Sequence, residues 1–221
     1  MSTPRFRYEY RPTRPFLEKL RDSEFVIRKL RRSAKNWVWD LWYGGPCGGV
    51  VSPRASLGAS ETSGVDYEQL AYLFDPKRVP IQPTDVLVDV GCGKARVINF
   101  WLLSGFRNPM MGIEIKQSVA LRARNRLRRF PNVTIVVGDA VTNLPSDATV
   151  FYLYNPFQRP VMQRFKQQLE EQFGSRGNVT IVYCLCLDLD LFDGDPRWAI
   201  EMIDDQGVLT FPSAIIRMVG V

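Results

Sequence analysis

From Pro80 onward, apolar runs alternate with amphipathic stretches. Val86-Leu87-Val88-Asp89-Val90 is apolar at successive positions apart from the aspartate, as a strand buried on both faces requires. Further strands are predicted over 110–115, 133–137, 148–154 and 179–187. Helical spacing fills the intervals: Lys94 to Ser104 with Gly105 as its stop, Gln117 to Arg129 ending ahead of Pro131, and Arg159 to Phe173 followed by Gly174. Alternation of this kind implies right-handed crossovers and an α/β fold with a doubly wound, mostly parallel sheet. The stretch Asp139 to Asp147 is too short to hold a crossover helix. No helical pattern separates the last two strand candidates, 198–203 and 213–219, which are expected to form an antiparallel C-terminal edge.

The N-terminal part reads differently. Residues 1–15 contain three prolines and no periodicity, which predicts an extended arm. Between Phe16 and Trp42 apolar residues recur at helical spacing (Leu20, Ile27, Leu30, Ala34, Trp37 or Val38, Leu41), as one bent helix or two short ones. Gly44, Gly45, Pro46, Gly48 and Gly49 close it, a polar loop spans 52–63, and a short helix is expected over 65–74. The division that follows is a basic arm and helical extension, 1–64, and an α/β domain, 65–221.

Composition narrows the class. A chain of 221 residues, 45% hydrophobic and 24% charged, suits one soluble α/β domain with an appendage. No apolar run approaches the ~20 residues of a membrane span. No hydrophobic stretch follows Arg5 and Arg7, so a secretory signal is not expected, and Glu9, Glu18, Asp22 and Glu24 weaken any transit-peptide character. A cytoplasmic location is the expectation. Cys184 and Cys186, two apart on one predicted strand, should share a sheet face in poor geometry for a disulfide, so reduced core thiols are expected. The chain has no histidine, which removes histidine metal sites, Ser-His-Asp triads and a histidine base. Residues 1–45 hold 11 Lys/Arg against 5 Asp/Glu, whereas the remainder is balanced at 18 against 18. The basic excess therefore belongs to the arm and its helix, and a neutral body ranks nucleic acid low as a partner.

In a doubly wound sheet, ligands bind beyond the carboxyl ends of the strands near the switch point. The first strand there opens onto Gly91-Cys92-Gly93, whose glycines allow a tight turn and a close approach to a ligand. Glu114 ends the next strand, 21 positions beyond Gly93, where a carboxylate can accept hydrogen bonds from ribose hydroxyls of a dinucleotide or an adenosyl ligand. A dinucleotide GxGxxG pattern beginning at Gly91 needs glycine at position 96, which Arg96 occupies. A ligand without a pyrophosphate tolerates that arginine.

Residues 65–157 resemble the core of the class I S-adenosylmethionine-dependent methyltransferases. Asp89-Val90-Gly91-Cys92-Gly93-Lys94-Ala95-Arg96 is similar to their first motif, with Ala95 in place of a third glycine, a change expected only to crowd the loop slightly. Gly112-Ile113-Glu114, continued by Ile115, resembles the second, in which the acid holds the ribose. Val137-Gly138-Asp139-Ala140 is similar to the third, in which the acid bonds the adenine amino group. Tyr154-Asn155-Pro156-Phe157 looks like a shortened form of the Asn/Asp-Pro-Pro-Phe/Tyr motif of amino-methyltransferases.

The resemblance implies a Rossmann-like sheet, S-adenosyl-L-methionine as cofactor, and methyl transfer to a small molecule or peptide, at nitrogen in preference to oxygen. Asn155 would hold an amine through its amide oxygen, and without histidine the base for an oxygen acceptor would be a carboxylate or a tyrosine, Tyr152 or Tyr154 being in reach. Tyr67 reads as closing over the methionine end of the cofactor or as core. Asp139 and Asn155 have local turn roles as rival readings. Trp37, Trp39, Trp42 and Tyr43 lie among Arg28, Lys29, Arg31, Arg32 and Lys35. The apolar stripe of this segment is expected to pack on the domain with the basic residues solvated. Its alternatives are a lid, an anionic-membrane contact or an acidic-partner surface. Arg122, Arg124, Arg126, Arg128 and Arg129 read as mostly one solvated helix face. A protein-lysine or nucleic-acid methyltransferase docked by the arm, and a non-catalytic module of the same fold, are the competing functions; a nicotinamide oxidoreductase ranks last because of Arg96.

Overall fold

The computed structural model describes residues 23–48, 65–204, 207–209 and 211–220. The expected extended arm, the helical start at 16–22 and the polar loop 52–63 lie outside the described residues. The elements are α1 (Ser23–Trp42), α2 (Tyr67–Leu73), β1 (Leu87–Val90), α3 (Arg96–Leu103), β2 (Met110–Glu114), α4 (Gln117–Leu127), β3 (Val133–Val137), β4 (Val150–Tyr154), α5 (Arg159–Phe173), β5 (Thr180–Cys184), β6 (Trp198–Met202) and β7 (Ser213–Met218), with a 3-10 turn over Leu189–Leu191. The seven strands form one sheet in the order β3-β2-β1-β4-β5-β7-β6. Strands β1 to β5 are parallel, and β7 enters antiparallel between β5 and β6. The doubly wound sheet with an antiparallel C-terminal edge is thus present, and no helix joins β3 to β4.

Side-chain alternation along the strands divides the interior in two. Leu87, Val150, Tyr152, Val182 and Cys184 face a core closed by α2, α3 and α4. Val88, Val90, Phe151, Leu153, Ile181 and Tyr183 face a second core closed by α5. Both sides of β1 are therefore buried, which is why its run reads as continuously apolar.

Strand β5 is shorter than predicted. Leu185 takes a left-handed φ of 51°, which turns the chain after Cys184. Cys184 and Cys186 consequently belong to opposite cores instead of sharing a face. All four cysteines are free thiols.

The packing of α1 reverses expectation. Its polar row Arg32, Asn36 and Asp40, spaced by one helical turn and a little more, faces the body. Arg32 Nε donates to Glu68 Oε2 at 2.7 Å, and Asn36 Oδ1 accepts from the Tyr67 amide at 3.1 Å. The apolar stripe expected to bury itself faces outward: Ile27, Leu30, Trp37, Val38, Leu41 and Trp42 are all exposed. Partly buried Trp39 and buried Tyr43 supply the helix's apolar anchors, Tyr43 against Phe130.

Candidate functional site

The chain runs from β1 through β2 to β3 on one side of the sheet and returns to β4 on the other, which puts the switch point between β1 and β4. The loop Gly91 to Ala95 sits over that point. Gly91 and Cys92 both donate their amides to Ile113 O, at 2.9 and 3.0 Å, and the Gly93 amide donates to Glu114 Oε2 at 2.9 Å. Gly91 has φ +72°, and a Cβ there would lie 3.1 Å from Cβ of Pro156, so the loops after β1 and β4 touch where the first glycine stands. Gly93 has φ +52°, and a Cβ there would meet nothing within 4 Å, which leaves open space beside the loop. Ala95 completes the turn at φ 58°, ψ 41°, fully buried. Its departure from glycine is therefore conformational strain of about 1 kcal/mol rather than the slight crowding expected.

Three acids stand near or just beyond the carboxyl ends of β1, β2 and β3. Asp89 shares a sheet face with its register partners Gly112 and Tyr152 and is 2% exposed. Among the described residues, its Oδ2 has no hydrogen-bond partner. Burial, reinforced by the charge of Glu114, pushes its carboxyl well above the usual range. Glu114 is differently placed: Oε2 holds the Gly93 amide and Oε1 accepts from the Lys116 amide at 2.8 Å. It clamps the glycine loop onto β2. Half-buried Asp139 accepts from the Val141 amide at 2.9 Å through Oδ1, the local turn role that rivalled a site role. Gly138 donates to Glu114 O at 3.1 Å, and a Cβ there would stand 2.7 Å from Asn143 Nδ2, so the exposed Asn143 side chain would have to shift to admit one.

The remaining candidates are placed as follows. Val90 points into the α5 core, on the other side of the sheet from Asp89. Cys92 is buried against Gly112, and burial pushes its thiol well up, so it is an inert packing group. Ile115 is half-buried and Ala140 is buried. Asn155 adopts a left-handed φ of 38°, its amide donates to Cys184 O at 3.1 Å, and its Oδ1 accepts from the Tyr183 hydroxyl at 3.2 Å. Tyr154 does not join it: its ring lies in the opposite core, edge-on to Phe211 at 5.9 Å. Tyr152 is likewise buried, with its hydroxyl pushed far up by burial. Neither tyrosine is disposed as a general base. The Tyr67 hydroxyl donates to Asp40 Oδ1 at 3.0 Å and accepts from Asn99 Nδ2 at 3.3 Å, so its polar end is committed to α1 and α3.

That commitment belongs to a polar cluster behind the loop that sequence reading missed. Arg96 Nη2 and Nε reach Asp40 Oδ2 and Oδ1 at 2.6 and 3.1 Å. Arg126 Nη1 donates to Tyr43 O and Asn99 Oδ1 at 2.7 and 2.9 Å, and its Nη2 to Lys94 O at 2.6 Å. Arg124 and Arg129 also bond backbone carbonyls, of Ile135 and Trp42. Four of the five arginines of this run, all but Arg126, are exposed as a solvated face requires, while Arg126 turns inward and Arg124 and Arg129 add bonds to backbone carbonyls. The available signal was Asn99, a polar residue on the apolar side of α3, where a buried amide demands partners.

No protein-family model matches the sequence, and no curated protein matches it. Solved structures do. An RNA methyltransferase from Salinibacter ruber, in complex with S-adenosyl-L-homocysteine, is 24% identical over 77% of this chain and 94% of that one, with a TM-score of 0.49. The mitomycin 7-O-methyltransferase MmcR is 15% identical over 69% of this chain and 53% of that one, at a TM-score of 0.52. A dimethyladenosine transferase from Plasmodium falciparum is 11% identical over 68% of this chain and 60% of that one, at 0.50. The fold is the Rossmann-like sheet found in methyltransferases.

Proposed function

We propose that the chain is an S-adenosyl-L-methionine-dependent methyltransferase that acts on a nitrogen, or failing that an oxygen, of a small molecule or peptide. The observation that carries this is the buried Oδ2 of Asp89, without a partner among the described residues, near the carboxyl end of the central strand. An unsatisfied buried acceptor costs roughly 1–3 kcal/mol, and a ligand rich in donors offsets it. The surroundings fit such a ligand. Glu114 uses two of a carboxylate's roughly four lone-pair sites on backbone amides, which leaves capacity for ribose hydroxyls. Asp139 keeps its second oxygen for an amino group, and Gly93 leaves room for close approach. Gly91, Cys92, Gly138 and Ala140 contribute backbone in this reading, as does Val90, whose side chain belongs to the α5 core, and Ile115 supplies a wall.

When bound, the sulfonium supplies an electrophilic methyl group. The protein's share is positioning, which supplies about 7–11 kcal/mol of a barrier of this type. Asn155 Oδ1 has a lone pair beyond the one facing Tyr183, suited to holding an acceptor N–H. The Tyr183 hydroxyl fixes which way that amide points, which makes Tyr183 a positioning residue. A chain without histidine, with its site tyrosines buried, favours a nitrogen acceptor that arrives with its own lone pair.

Calorimetric titration with S-adenosyl-L-homocysteine tests the donor half. Micromolar binding that weakens at least about tenfold in Asp89→Ala and Glu114→Ala is expected, and an absence of binding by the intact chain rejects the reading. Transfer from labelled donor to panels of amines, peptides and phenols tests the acceptor half.

A further inference from the structure

Helix α1 wears its apolar face outward. Ile27, Leu30, Trp37, Val38, Leu41 and Trp42 form one exposed stripe, Trp37 at 58% and Trp42 at 70% exposure. A globular surface helix does the opposite, and an exposed contiguous apolar patch marks a binding surface. The helix cannot roll to hide the stripe, because Arg32, Asn36 and Asp40 on its far side are bonded to the body, and Arg129 and Arg126 hold the carbonyls of Trp42 and Tyr43 at its end.

Charge selects the occupant. Exposed Arg31 and Lys35 flank the stripe. Asp40 is the one acid among the described side chains of α1, and it is buried. The whole chain's net charge of +6 lies within residues 1–45. A second copy packed stripe to stripe would bring the same basic flank, with no exposed acid among the described side chains of α1 to meet it. An anionic lipid surface meets both features: apolar and tryptophan side chains settle at the acyl boundary, and Arg31 and Lys35 reach headgroup phosphates. We infer that α1 docks the protein on an anionic membrane surface, lying in its plane. Among the described residues no helix is long and apolar enough to cross a membrane. This rests on surface chemistry alone and stands apart from the methyltransferase reading.

The test is sedimentation of the full chain with phosphatidylcholine vesicles and with vesicles that also contain phosphatidylserine. Binding to the anionic vesicles that weakens with added salt is expected. Trp37→Ser with Trp42→Ser should lower partitioning roughly tenfold or more. Arg31→Glu with Lys35→Glu should lower it roughly thirtyfold or more while leaving the stripe intact. All four side chains are exposed, so unchanged thermal unfolding confirms that the variants fold. Equal binding to both vesicle types, or wild-type partitioning by either folded double variant, overturns the proposal. So does a wild-type dimer in sedimentation equilibrium that Trp37→Ser with Trp42→Ser renders monomeric, because that assigns the stripe to a second copy.

Discussion

Asp40 and Arg96 stand 56 residues apart and meet as a doubly bonded pair, their side chains 2% and 10% exposed. One end is α1, the other the first residue of the helix that follows the glycine loop. The extension is therefore seated on the same frame as the candidate site.

Breaking this pair from one side leaves an uncompensated charge in a nearly dry place. Asp40→Asn or Arg96→Met is expected to destabilise the fold by about 3 kcal/mol, in the range for buried pairs. At roughly 2–4 °C per kcal/mol for a chain of this size, thermal unfolding reads it directly. The double variant should lose less than the two single losses combined, since each removes the other's stranded partner. Single variants within about 0.5 kcal/mol of wild type would show the pair to be incidental.

Asp89 sets stability against binding. Its folded carboxyl is raised by burial, so the folded protein retains a proton that the unfolded chain loses near pH ~3.9. The stability this group contributes is complete below that pH and drains away as pH rises towards the raised folded value. Near neutral pH, Asp89→Asn should therefore melt higher than wild type, by about 1–3 kcal/mol. The same change should weaken S-adenosyl-L-homocysteine at least about tenfold. Ligand donors favour the ionised carboxylate, so wild-type affinity should rise with pH across the raised range, with proton release visible as a buffer-dependent enthalpy. Asp89→Asn should show no such release.

The two glycines of the loop make separable predictions. Gly93→Ala meets no atom within 4 Å but must hold φ +52°. A loss of about 1–2 kcal/mol in apo stability is expected, with a far larger fall in ligand affinity because the methyl occupies the open space. Gly91→Ala adds contact with Pro156 at 3.1 Å to a φ of +72° and should cost more apo stability than Gly93→Ala. Chemical denaturation and calorimetry on the pair would reverse the assignment of the open side if Gly91→Ala alone harmed binding.

Gly112 is required by packing. A Cβ there would stand 2.8 Å from Cys92 Sγ and 2.9 Å from each of Ile98 Cδ1 and Ile135 Cδ1. Gly112→Ala should cost about 1–3 kcal/mol through overpacking. Adding Cys92→Ala removes the nearest obstacle, so the double variant should recover part of the loss in unfolding experiments. No recovery would mean that the isoleucines carry the clash.

Much of the fold was legible because strands buried on both faces write unbroken apolar runs, and the crossover helices write a 3.6-residue period between them. The glycine loop and the acids Asp89, Glu114 and Asp139 could be named as candidates because a charge next to an apolar strand is conspicuous. The roles of Tyr154 and Tyr67 were not legible. A strand position states alternation but not which core receives it, and the tyrosine hydroxyl's partners come from helices far along the chain.

The sequence by itself determined the element order, the switch-point loop and the acids that frame it, since these follow from local period and composition. Tertiary structure alone decided which face of α1 is buried. An amphipathic pattern identifies two faces, and hydrophobic burial ordinarily chooses the apolar one. Here Arg96 of α3, with Tyr67 and Glu68 of α2, supplies partners for the polar face, so turning the helix over would break these bonds and strand the buried Arg96 charge. Those bonds involve residues from distant segments, so no local reading of α1 contains them.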